Sequence, residues 1–185
     1  MMSLVDPENP AVPPARVTLL LIDIAEAAPL LEHWRRRFDP AASAGVPNHV
    51  TVLAPFLDED LLDRDTLAEL RALIAAHDPM DVTFRRTGRF PGILYLAPEP
   101  AEPIRVLTEA IVARWPQCPP YGGAYGSEIV PHMTIGYDLT PEDEAELESD
   151  VLPRLPLAAH ITEVVLLVAE GERWHRRESF PLGKA

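Results

Sequence analysis

The sequence predicts one mixed domain in which strands and helices alternate, arranged as two related lobes whose key strands face a shared cleft. Three observations carry this. Segments of strand period alternate with segments of helical period along the chain. Two short strands repeat a His-x-Thr pattern 83 residues apart, and each is followed by a helix with an acidic start. A length of 185 residues suits one domain or a tightly joined pair of lobes, and is too short for two independent large domains.

Residues 1–15 carry Pro7, Pro10, Pro13 and Pro14, with no basic stretch followed by an apolar one. They read as a loose proline-rich arm and not as a signal peptide, leaving 16–185 as the folded domain. Arg16 to Ile24, β-branched and leucine-rich, reads as a strand, and Pro29 to Phe38 follows as a helix. Asn48 to Phe56 is the second strand. Asp65 to His77 sets Leu67, Leu70, Leu73 and Ile74 at helical spacing behind an acidic cap. Val82 to Phe90 and Ile93 to Ala97 are extended segments around Pro91-Gly92, and Pro103 to Trp115 is a helix with proline in its first turn. A loop of prolines, glycines and tyrosines runs from Pro116 to Pro131, then a strand from His132 to Tyr137. Thr140-Pro141-Glu142-Asp143 opens the last helix, and strands near Ile161 to Ala169 and Arg173 to Phe180 close the chain.

The balance of 16 basic against 29 acidic residues, a net −13, excludes a broadly basic nucleic-acid surface; no long duplex partner is expected. Seven of the acids lie between Asp138 and Asp150 at helical spacing and read as a solvated helix face. Proline and glycine, 21 and 9 residues, stay short of the disordered range. The single cysteine, Cys118, allows no internal disulfide and reads as a buried thiol. The longest apolar runs, Val17 to Ile22 and Val164 to Ala169, have strand length, well below the roughly 20 residues of a membrane helix. A cytoplasmic monomer without membrane contact is expected.

The chemistry sits in His49-Val50-Thr51-Val52 and His132-Met133-Thr134-Ile135. In a strand, residues i and i+2 share a face, so each motif offers an imidazole beside a hydroxyl while its apolar residues enter a core. Six histidines and 14 serines plus threonines in 185 residues produce roughly half of one His-x-Ser/Thr hit by chance, and there are three. The third, His160-Ile161-Thr162, ends in Glu163 and has no partner at the repeat offset, so it reads as a decoy. Two imidazoles and two hydroxyls suit in-line displacement at phosphorus. A neutral ring deprotonates the nucleophile, an imidazolium protonates the leaving oxygen, and the hydroxyls hold the non-bridging oxygens. No metal or other cofactor is needed, and neither motif has an adjacent carboxylate or cysteine to complete a coordination shell.

These paired tetrapeptides, with His-Val-Thr-Val-Leu-Ala-Pro-Phe from His49 and Pro-His-Met-Thr-Ile-Gly from Pro131, make the chain resemble the 2H phosphoesterase superfamily. The likeness is to its bacterial 2′-5′ RNA ligase-like and cyclic-phosphodiesterase members, and covers Arg16 to Pro181 in order of elements. It implies an α+β bilobal fold with two pseudo-symmetric antiparallel sheets lining a cleft, helices outside. It also implies metal-independent cleavage of 2′,3′-cyclic or 2′-5′ phosphodiester bonds in a small nucleotide or RNA end. His49 and His132 are then acid and base, and Thr51 and Thr134 hold phosphate. A non-catalytic nucleotide- or RNA-end-binding module, and 2′-5′ ligation, stand as alternatives.

Around this centre, Tyr121 and Tyr125 are candidates to stack on a base or bond phosphate, against a reading in which they pack only on their own loop. Arg85, Arg86 and Arg89 include a candidate phosphate clamp, although a surface position is the preferred reading for each. Trp34, Trp115 and Trp174 read as core cover.

Overall fold

The computed structural model describes residues 16–126 and 128–183; the arm expected over 1–15 lies outside them. Among these residues eight strands form two antiparallel four-stranded sheets: β1 Thr18–Asp23, β2 His49–Leu53, β3 Met80–Phe90, β4 Ile93–Glu99, β5 Met133–Tyr137, β6 Leu157–Ile161, β7 Glu163–Glu170 and β8 Arg173–Pro181. The first sheet runs β2-β1-β7-β8 and the second β5-β4-β3-β6, so each motif strand is the edge of its sheet. β2 and β5 touch, which sets the two edges against each other and the motif residues in between. The expected α+β arrangement of two antiparallel sheets is the one found.

Among the described residues the five α-helices are α1 Ala28–Phe38, α2 Pro40–Ser43, α3 Arg64–Ile74, α4 Glu102–Arg114 and α5 Pro141–Val151. The helices between paired strands are exchanged. α1 joins β1 to β2 yet packs against β5, while α4 joins β4 to β5 yet packs against β2. One continuous apolar core results, holding Leu20, Ile22, Val50 and Val52 from the first sheet with Leu94, Leu96, Met133 and Ile135 from the second. Burying so much leucine, isoleucine and valine at roughly 1.5–3 kcal/mol per side chain is what holds the two sheets together. A smaller core under α2 gathers Leu19, Leu21, Val46, Val165 and Trp174 on the other face of the first sheet. Trp34, Trp115, Trp174 and Cys118 are all buried, as expected.

Several expectations need correction. The segment read as one strand near Ile161 to Ala169 is two, belonging to different sheets: β6 pairs with β3, and β7 pairs with β1 and β8. The chain crosses between sheets at Thr162, where Ile161-Thr162-Glu163-Val164 holds no glycine or proline to mark the change. α3 begins at Arg64, capped by Asp63, whose carboxylate accepts from the Thr66 amide at 2.8 Å; Asp65 lies inside the first turn. The turn of helix over Pro40–Ser43, capped by Asp39, has no counterpart in the sequence reading. The acidic face of α5 is not simply solvated. Asp143 and Glu146 pair with Arg37, and Glu144 and Glu148 with Arg89. The Thr140 capping box is present as read.

Candidate active site

The two motif histidines are held alike. His49 Nδ1 lies 2.8 Å from the carbonyl oxygen of Pro47, and His132 Nδ1 lies 2.7 Å from that of Val130. A carbonyl can only accept, so Nδ1 carries the hydrogen in both rings and Nε2 keeps its lone pair. Each acceptor is two residues upstream, and the two acceptors are themselves 83 positions apart. Local backbone geometry therefore aims both imidazoles in one tautomer before any ligand arrives.

The hydroxyls are matched as well. Leu21 pairs with Thr51 and Leu20 with Leu53, so Val52 is passed over in the ladder; Tyr95 pairs with Thr134 and Leu94 with Gly136, so Ile135 is passed over. Both bulges fall on the last residue of the tetrapeptide. An extra residue reverses the alternation beyond it. Gly136 therefore turns into the core, where an added Cβ would stand 2.8 Å from Phe38 Cβ, and Tyr137 returns to the face of Thr134. There its phenol comes near the Thr134 hydroxyl, which favours its charged form. In the other lobe the position equivalent to Tyr137 is Ala54, and Tyr121 takes its place, its phenol near the Thr51 hydroxyl. Each motif threonine thus has one tyrosine near it, supplied by a strand in one lobe and by a loop in the other.

An aromatic wall surrounds His132. Phe90 and Tyr95 lie 5.0 and 5.3 Å from it, ring centre to ring centre, and Tyr121 lies 6.4 Å away. Tyr125 stands edge-on to Tyr121 at 5.7 Å and is about half exposed. Tyr95 lies flat over Gly88, its cross-strand partner, where a Cβ would meet the ring at 2.4 Å. Tyr121 and Gly122 both have positive φ, 51° and 64°, in the tight turn Pro120–Gly123 that presents the Tyr121 ring.

His49 lies beside a buried ion pair. Arg35 of α1 places Nε and Nη2 at 2.9 and 2.6 Å from one oxygen of Asp39, and Nη1 at 3.3 Å from the Val46 carbonyl. Burial first, then the Arg35 guanidinium and charge on His132, together lower the His49 imidazole to about 3, against the opposing Pro47 carbonyl. His132 is also lowered, by burial, against the Val130 carbonyl. Burial raises Tyr121 to about 12 and raises Tyr137 as well, so both phenols are protonated donors near neutral pH. Both imidazoles and both phenols are therefore neutral near pH 7.

His49, Thr51, His132, Thr134 and Tyr121 converge here, with Tyr125 at the rim. The three arginines do not: Arg85 and Arg86 both face Glu99, and Arg89 faces Glu144 and Glu148. His160 sits on β6, the far edge of the second sheet from β5, bonded to Asp81 at 2.7 Å. The sequence reading missed Arg35, Asp39, Tyr137, Phe90 and Tyr95. Tyr137 alone had a signal, being on the motif strand, but simple alternation assigns it to the core. Among the described residues no three histidine, cysteine, aspartate or glutamate side chains group to hold a metal, and no helix is long and apolar enough to cross a membrane.

A two-lobed α+β fold with a histidine and a threonine on or just before each of two facing edge strands is the arrangement of the two-histidine phosphoesterase class. Residues 23–173 match the family model of the 2′-5′ RNA ligase superfamily, and the chain belongs to that family. Among curated proteins, a "Putative phosphoesterase" of Bacillus pumilus is 28% identical over 160 residues, covering 82% of this chain and 88% of its own, and one of Bacillus cereus strain G9842 is 28% identical over 163. Among solved structures, TT0787 of Thermus thermophilus aligns with TM-score 0.62 at 20% identity, covering 91% of this chain and all of that one. LigT of E. coli, complexed with 3′-AMP, aligns with TM-score 0.59 at 19% identity over 92% of this chain and all of that one. These structures share the fold.

Proposed function

We propose that the protein is a metal-independent phosphodiesterase that opens 2′,3′-cyclic phosphates, or related 2′-linked phosphodiesters, at the end of a nucleotide or short RNA. The observation that carries this is the pair of alike-anchored imidazoles, Nδ1 on a backbone carbonyl two residues upstream and Nε2 free, each two positions before a threonine. One Nε2 takes a proton from water as the water oxygen bonds to phosphorus. The ribose oxygen leaves, its P–O bond breaks, and it takes a proton from the other, protonated Nε2. The product is a phosphomonoester. Solvent exchange then returns each ring to its starting state. Thr51 and Thr134, oriented by Tyr121 and Tyr137, donate to the non-bridging oxygens, and Phe90, Tyr95 and Tyr121 offer faces and edges on which a base stacks.

The relatives support a nucleotide ligand, since LigT was also solved with ATP and with NADP+. The test is turnover of 2′,3′-cyclic mononucleotides and of a short RNA ending in a 2′,3′-cyclic phosphate, with EDTA present. The expected result is a single phosphomonoester isomer formed at an unchanged rate in chelator. Binding without turnover would leave a recognition module, and activity lost in EDTA but restored by zinc or manganese would mean a metal hydrolase.

A further inference from the structure

A cavity of about 370 Å³ opens where the end of α1 and the start of α2 meet the end of β5. Arg37, Phe38, Pro40 and Ser43 line it from the helices, and Tyr137 and Asp138 from the strand. Tyr137 shares the strand face of Thr134, so one ring borders both the cavity and the catalytic centre. Along the second motif the aromatic wall lies at His132, the phosphate-holding hydroxyl at Thr134 and the cavity at Tyr137, in that order. The first two serve the reaction; the cavity is unassigned.

Its volume, and its mixture of rings, hydroxyls and a carboxylate, suit a small organic ligand. Its charges argue against an anion. Arg37 is paired with Asp143 and Glu146, Arg36 with Glu32 of its own helix, and Asp39 with Arg35. Among the described residues, Asp138 is the one charged side chain lining the cavity that has no ion-pair or hydrogen-bond partner. It is nevertheless fixed in place. Asp138 follows β5 with φ 49°, in the left-handed region, and its amide donates to the Gly92 carbonyl at 2.8 Å. Its Oδ1 lies so close over Gly92 that a Cβ there would stand 3.2 Å from it. Arg37 is fixed as well. Its guanidinium lies 4.5 Å from the centre of the Phe38 ring, which is itself stacked with Trp34. Held by that ring and by Asp143, it lines the cavity as a planar group on which a nucleobase stacks.

We propose that this cavity is a second nucleobase subsite of the same active site, selective for guanine through Asp138, with Arg37 as its stacking platform. It takes the nucleoside that lies across the reacting phosphate from the one on the aromatic wall, as in a 2′-linked dinucleotide. A carboxylate only accepts, and guanine alone offers it two parallel donors, N1–H and N2–H. Adenine and cytosine set a ring acceptor beside the amino group, and uracil sets a carbonyl on either side of its one N–H. Each of these brings a lone pair against the carboxylate. The inference rests on the phosphodiesterase reading only for what is joined to the bound base.

The experiment measures equilibrium binding of the 5′-monophosphates of guanosine, adenosine, cytidine and uridine, which carry no diester to cleave. Turnover of 2′-5′-linked dinucleotides, varied in the base on the 5′ side, follows on the same samples of wild type, Asp138→Asn and Glu142→Gln. Wild type is expected to prefer guanine over adenine by about tenfold or more in both measurements, the usual discrimination of one bidentate base contact. In Asp138→Asn, which suits the same left-handed backbone but presents one acceptor and one donor, the ratio falls to about one. Glu142→Gln removes an acid four residues on and outside the cavity, and keeps the wild-type ratio. No guanine preference in wild type, a preference that survives in Asp138→Asn, or one lost equally in Glu142→Gln overturns the proposal. Equal binding of all four monophosphates that weakens alike in Arg37→Ala also overturns it, and makes the cavity an anion site. Guanine-selective binding without turnover leaves the subsite standing and tells against the phosphodiesterase reading, whereas turnover without base selectivity does the reverse.

Discussion

The amide of Tyr121 donates to the carbonyl of Ala54 at 2.7 Å, fastening the loop ahead of the second motif to the strand that carries the first. Ala54 occupies the position that Tyr137 holds in the other lobe. The loop therefore completes a half-site that its own strand leaves short of a hydroxyl.

Tyr121→Phe and Tyr137→Phe should each weaken the hold on phosphate by one neutral hydrogen bond, about 1 kcal/mol or roughly fivefold in kcat/KM. The two should differ in stability. Tyr137 lies on a packed strand, so its Phe variant also lowers Tm, while the loop tyrosine changes activity with little effect on melting. Steady-state kinetics and a thermal melt on the same samples check both.

His49→Ala and His132→Ala are each expected to lower turnover by about 10² or more, the usual loss on removing a general acid or base. Thr51→Ala and Thr134→Ala should be milder, at most about 3 kcal/mol, the value of one hydrogen bond to developing charge. His160→Ala, three strands from β5, should keep wild-type turnover. An inactive but folded His160 variant would return the third His-x-Thr to the site.

Acid should destabilise the fold through the motif histidines, and the sign follows from their lowered values. In the unfolded chain these rings take protons near the ordinary value of 6.5, while in the folded chain His49 resists until about 3. Between these values the unfolded state binds more protons, so stability falls as pH falls through that window. His49→Asn removes the group and should flatten the dependence of Tm on pH over this range. A slope unchanged from wild type would show that His49 protonates freely in the fold.

Gly88→Ala should displace the Tyr95 ring, since the new Cβ falls within 2.4 Å of it. Because the Tyr95 ring lines the wall beside His132, KM for a cyclic nucleotide should rise several-fold with kcat little changed. Equal loss in both parameters would place Tyr95 in the chemical step.

Much of this site was legible because its parts are local. The histidine, its acceptor and the threonine span five residues, and their duplication 83 positions on lifts them above chance. What escaped was non-local. Arg35 lies in a helix whose arginines look alike in sequence, and only packing against the turn before β2 distinguishes it from exposed Arg36 and Arg37. Tyr137 was hidden by its bulge, for which neither Val52 nor Ile135 gives a compositional sign. The change of sheet at Thr162 was hidden because β6 and β7 are equally apolar, and strand pairing is decided by partners far along the chain.

The exchange of α1 and α4 between the sheets has a mechanical consequence. A cleft between two lobes ordinarily opens by hinge bending, but here each lobe's connecting helix is embedded in the other's core, so rotating them apart would drag packed leucines through the interior. The frame behaves as a clasped pair of hands, fixed in aperture.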